Sequence, residues 1–84
     1  MSAIDDAIEA LNEAMGKIGE SQQAQQLAVG GTEQALTAAE ALGADALLET
    51  VTALKDKVDE LAAVLAQADS IAGEALGLAE SVKT

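Results

Sequence analysis

The chain has 84 residues; half are apolar, none is aromatic, and fifteen acids against four lysines give a net charge of −11. It contains no Cys, His, Pro or Arg, which excludes disulfides and thiolate metal sites and removes the commonest acid–base catalyst and metal ligand. Without aromatics there is no platform for stacking bases and no Trp or Tyr to anchor an interface.

Helical periodicity starts at once. Alternating steps of four and three from Ile4 give Ile8, Leu11, Met15, Ile18, Gln22, Gln25, Val29, Thr32, Leu36 and Ala39. That is a heptad stripe, and it predicts one long helix over about 3–42. Ser2 is placed to cap it, with Asp5 at capping-box spacing and two acids at the positive end of the dipole. A second heptad row, Ala7, Ala14, Ser21, Ala28 and Ala35, is uniformly small and would let another helix approach closely. Gly30-Gly31 before Thr32 is the weak point, where a break would give three helices. Val29, Thr32 and Leu36 hold the phase across it, and this favours continuity.

Gly43 is suited to close the first helix in the left-handed conformation, and Asp45 to cap the second. A turn at 43–45 and a second helix over about 46–82 make an antiparallel hairpin. The second stripe runs Leu47, Val51, Leu54, Val58, Leu61, Leu65, Ala68, Ala72, Ala75, Ala79, Val82. A parallel row through Val64, Ile71 and Leu78 widens the apolar face towards the C-terminus, as suits a helix with two neighbours. The fold class expected is therefore all-α: one hairpin domain over 1–84, dimerising into a four-helix bundle. An aromatic-free core in so short a chain is marginal alone, since only roughly 60% of the surface is buried on folding at this size.

The candidate sites are contacts rather than chemistry. The expected helix-packing interface is Ile8, Leu11, Met15, Ile18, Val29 and Leu36 with Val51, Leu54, Val58, Leu61, Leu65 and Ile71. Gln22 and Gln25 take core positions in a run of glutamines. Folding about the turn brings residue i near 88 − i, so Gln67 is in reach and could complete a polar layer that fixes register; a locally solvated stretch is the plainer alternative. Gly73 and Gly77, roughly opposite Gly16 and Gly19, have the spacing of a close helix contact, though in an Ala/Gly-rich chain such spacing also arises by chance. Asp56, Asp59 and Glu60 are interleaved with Lys55 and Lys57 and read as ion pairs on a solvated face, not a metal site. Ser and Thr are dispersed, with no base to activate them, so no enzyme activity, metal or cofactor is expected.

The charge is spread as −6 over residues 1–43 and −5 over 44–84. Such a field repels nucleic acid and anionic membranes. No unbroken run approaches 18 apolar residues, so no membrane span is expected. The start, Met1-Ser2-Ala3-Ile4-Asp5-Asp6, is acidic where a secretory signal is basic. The expected location is cytoplasmic, with signal-peptide-independent secretion open.

Two resemblances add to this. Leu42-Gly43-Ala44-Asp45-Ala46-Leu47 looks like the attachment segment of acyl carrier proteins, but Ala46 stands where that family carries its phosphopantetheine-bearing Ser. The whole chain resembles the Trp-x-Gly hairpin proteins of type VII secretion. Ala41-Leu42-Gly43 stands at the position of their turn motif, and Leu76 to Glu80 at that of their Tyr-x-x-x-Asp/Glu signal; Gly43 and Glu80 match, and both aromatics are absent. That resemblance implies hairpins paired into four-helix bundles, and export. The expected role is a non-enzymatic protein–protein interaction or structural module, its partner a second copy or a related helical protein. The alternatives are a secreted type VII-like hairpin or partner, and a helical-filament subunit.

Overall fold

The computed structural model describes residues 2–83, and among them there are two helices and no strand: α1 (Ala3–Leu42) and α2 (Asp45–Lys83). They pack antiparallel as a hairpin 62 Å long and only 15 by 12 Å across.

The helix ends follow from local chemistry. Ser2 is extended at φ −85°, ψ 159°, and its Oγ accepts the Asp5 amide at 3.2 Å. The same hydroxyl donates to Asp5 Oδ2 at 3.0 Å. The short Asp side chain therefore returns to the Ser2 hydroxyl, where a longer Glu would return to its backbone amide. At the other end Gly43 is left-handed at φ 65°, ψ 26°, a conformation that costs a Cβ-bearing residue more than glycine. Its amide donates to Glu40 O at 3.1 Å, and the Ala44 amide donates back to Ala39 O at 3.4 Å. This satisfies two end carbonyls and turns the chain sharply.

The turn is shorter than its sequence suggests. The Ala44 carbonyl already accepts from the Leu48 amide at 2.9 Å, so α2 begins at Asp45, a residue before the expected 46. Asp45 is a first-turn acid facing the positive helix end instead of the capping residue.

α1 runs unbroken through Gly30-Gly31. Both glycines are exposed, and a Cβ on either would meet nothing within 4 Å. Their intrinsic cost of about 1 kcal/mol each is outweighed by packing on both sides, where Val29 is half-buried and Thr32 buried. The Thr32 hydroxyl donates to Ala28 O at 2.8 Å, so its burial strands no polar group.

Two features fix the helix register. Lys83 Nζ lies 3.0 Å from Asp5 Oδ1, and Gly73 stands beside Met15 Cε, a Cβ there lying 4.0 Å away. Both pairs sum to 88. The core between the helices is thin: among the described residues Ala39, Val51 and Ala79 are the buried apolar ones, and no large side chain is fully buried.

Candidate functional site

The α1 stripe faces α2. Ile4, Ile8, Leu11, Met15, Ile18, Gln22, Val29 and Leu36 are half-buried, and Gln25, Thr32 and Ala39 are buried. The answering seam on α2 is Leu48, Val51, Lys55, Val58, Ala62, Leu65, Asp69, Ala72, Leu76 and Ala79. It shares Val51, Val58, Leu65, Ala72 and Ala79 with the stripe expected from sequence but takes the other half one residue later. Leu54, Leu61 and Ile71 therefore lie off this seam and are 51%, 45% and 56% exposed. The reason is rotational. α2 carries two adjacent heptad stripes, and the less apolar one, including Lys55 and Asp69, faces α1.

Gln25 Nε2 donates to the backbone carbonyl of Val58 at 2.9 Å. This side-chain hydrogen bond crosses from one helix to the backbone of the other and joins the register to a particular carbonyl. Gln22 is half-buried beside it. Gln67 is exposed on the outer side of α2, so the Gln25 amide is met by the Val58 backbone and not by Gln67. The glycine pairs make no close contact either: a Cβ at Gly16, Gly19 or Gly77 would meet nothing within 4 Å.

The outer stripe is the inner seam shifted one residue towards the N-terminus, in both helices. Because the helices are antiparallel and right-handed, this shift moves both to the same side of the hairpin. On α2 the shifted row is Leu47, Thr50, Leu54, Lys57, Leu61, Val64, Ala68, Ile71, Ala75, Leu78 and Val82. On α1 it is Ala7, Ala10, Ala14, Lys17, Ser21, Ala24, Ala28, Gly31, Ala35, Ala38 and Leu42, all exposed. One side of the molecule is thus mainly apolar, with larger side chains on α2 and smaller ones on α1, interrupted by Lys17 and Ser21 on α1 and by Thr50 and Lys57 on α2. The sequence shows part of each row, Ala7, Ala14, Ser21, Ala28 and Ala35 on α1 and Val64, Ile71 and Leu78 on α2, but assigns Leu47, Leu54 and Leu61 to the same stripe as Val51, Val58 and Leu65 and does not show that the rows lie side by side.

This face carries none of the fifteen acids. Its charges are Lys17 and Lys57, which reach out to Glu20 at 3.7 Å and Glu60 at 3.2 Å. Shifting one residue the other way gives the opposite side: Glu9, Asn12, Glu33, Glu40, Glu49, Asp56, Asp59 and Glu80, interspersed with exposed glycines. There the Lys55–Asp59 ion pair at 3.2 Å spans one turn.

Among the described residues no group of three acids is placed to hold a metal ion. Asp5, at the open end of the hairpin, has a displaced pKa. Its carboxyl lies below the usual value, chiefly because Lys83 and then the Ser2 hydroxyl hydrogen-bond it, with the Lys83 charge adding to this. By length and composition α2 is also apolar enough to cross a membrane, with an 18-residue window of mean hydropathy 1.3. The lack of an unbroken apolar run does not prevent this, because Ala, Leu and Val between the polar residues raise the average. Only 6% of that window is buried within the hairpin.

No family model, curated protein or solved structure matches the chain.

Proposed function

We propose that this chain is a non-enzymatic protein–protein interaction module, and that its hairpin pairs with a second copy into a four-helix bundle. The observation that supports this is the apolar outer face of α2. Seven Leu, Ile and Val side chains, from Leu47 at 46% to Val82 at 73% exposed, line one side of one helix. Monomeric soluble proteins rarely leave so long a contiguous apolar surface wet, and when they do it marks an interaction site. In a four-helix arrangement each helix has two neighbours, and both α2 stripes are covered. The acidic opposite side would then face solvent and discourage unspecific association.

Light scattering across a range from low micromolar concentration upward tests this, with helicity read by circular dichroism on the same samples. The expected result is a mass of two chains and high helicity. A fully helical protein that keeps the 8.4 kDa of one chain throughout would overturn the reading. A mass growing without limit would mean a head-to-tail contact, which builds filaments instead of a closed pair.

A further inference from the structure

We infer how the two copies meet: α2 of each lies on α1 of the other, about a twofold axis along the hairpin, with both turns at the same end. This rests on the self-association proposed above and adds its geometry. The first support is area. Folded monomers of this mass expose about 4,600 Å² by the surface scaling law, whereas this chain exposes 5780 Å². The excess, about 1,200 Å² per copy, would bury about 2,400 Å² in a pair, within the range of homodimer interfaces.

The second support is charge. A chain of net charge −11 can approach its own copy closely only where it carries no acids, and the outer face is such a surface. The third is shape. Large apolar residues are concentrated in the α2 half, and the α1 half is small from Ser21 to Ala38, with Lys17 and Leu42 the large residues on either side of that stretch. With turns together and no axial shift, the register that pairs Asp5 with Lys83 within one hairpin also sets the contacts between hairpins. Leu54 then lies over the partner's Ala35, Leu61 over the partner's Ala28, and Lys57 over the partner's Gly31, where the missing side chain leaves room for the lysine stem. Large against small is how facing layers interdigitate. Turns at opposite ends would instead set α2 on α2 and α1 on α1. Leucines would hold one pair apart while the alanine pair needed near-contact of backbones, and helix spacing depends on the side chains between.

Two measurements test the arrangement. The chain has no native cysteine, so Ala46→Cys, at an exposed site beside the turn, takes a single nitroxide label. Dipolar spectroscopy on a sample of two-chain mass is expected to give about 20–25 Å, the width of a bundle. A distance near the 62 Å hairpin length would overturn the arrangement and leave the dimer standing. A one-chain mass with no dipolar coupling would overturn both, and cosedimentation of that monomer with phosphatidylcholine vesicles would identify lipid as the occupant. The second measurement swaps the sizes. Ala28→Leu with Ala35→Leu is expected to weaken self-association at least tenfold; adding Leu54→Ala and Leu61→Ala is expected to restore it to within threefold. Further weakening on that addition would mean that α2 meets α2, and would overturn the arrangement.

Discussion

The two faces of α2 differ in an instructive way. The face turned towards α1 includes Lys55, Ala62 and Asp69, while the face turned away carries Leu47, Leu54, Leu61, Val64, Ile71 and Leu78. The less apolar face is the one covered within the hairpin. A thin seam tolerates this, because Lys55 reaches Asp59 at its edge and keeps its charge wet while its stem covers apolar surface. An apolar stripe in a sequence therefore reports that a surface is to be covered. It does not report whether the cover comes from the same chain.

This bounds what could be read without coordinates. The two helices, their antiparallel hairpin and the all-α class follow from a heptad phase held on either side of Gly43. In α1 a single large-residue stripe exists, and it is the one that faces α2. In α2 two stripes share an edge, and hydrophobicity alone favours the outer one. The choice is made by the turn. Gly43 and Ala44 pass the chain on so tightly that the first turn of α2 presents Leu48, not Leu47, to α1. Likewise the buried Gln25 was legible as a polar core residue, but its partner is the backbone of Val58, a contact that composition cannot signal.

The largest effect should come from truncating the outer face. On an isolated hairpin, where Leu54 and Leu61 are already half exposed, each change to Ala should cost about 1 kcal/mol or less. Covered by a second copy, each should cost about 2–5 kcal/mol, and the melting midpoint should fall further at lower protein concentration. Leu65→Ala, on the inner seam, should cost about 2 kcal/mol with the same concentration dependence as the parent. Equal and concentration-independent losses at Leu61 and Leu65 would remove the distinction between the faces.

A smaller effect is expected at Gln25, where specificity and stability part. The Val58 carbonyl keeps its own helical hydrogen bond, so Gln25→Leu strands no partner and adds apolar burial. The change should raise stability by about 1 kcal/mol. It should also remove one of the contacts that distinguish this register from a slipped one, and broaden the mass distribution. Amide exchange over residues 20–28 of the parent provides the prior check. Protection there matching that around Val58 fits a buried polar contact; fast exchange would make Gln25 a solvated residue and cancel the expected gain.

Gly30→Ala sharpens the comparison from the opposite, polar side. A Cβ there meets nothing within 4 Å and lies off the outer face. Replacing an exposed mid-helix glycine should stabilise by about 0.5–1 kcal/mol, partly by restricting the unfolded chain. The mass of the assembly should not change. A loss of self-association in Gly30→Ala would mean that the polar side also makes contacts between copies.

The smallest effect concerns the open end of the hairpin, where no turn links the helices and Asp5 meets Lys83 instead. Lys83 falls one heptad step beyond Ala79 and is itself exposed, and we expect its ion pair to favour the rotation that leaves Leu78 and Val82 on the outer face. The Asp5 carboxyl is held below its usual value by Lys83 and the Ser2 hydroxyl. A depressed carboxylate contributes stability that is present above its unfolded value and is lost as pH falls through the folded one. Acidification below the ordinary carboxylate range should therefore loosen this end first, while the turn end is unaffected. Because the pair is on the surface, the melting midpoint should hardly move. The readout is amide exchange at residues 6–9 and 79–82, which should quicken with acid relative to residues 46–52 once the intrinsic pH dependence of exchange is divided out. Asp5→Asn should show the faster exchange already at neutral pH and lose the acid-dependent change. If the two ends respond alike in the parent chain, the ion pair does not set the rotation of α2, and the seam alone must account for which stripe faces outward.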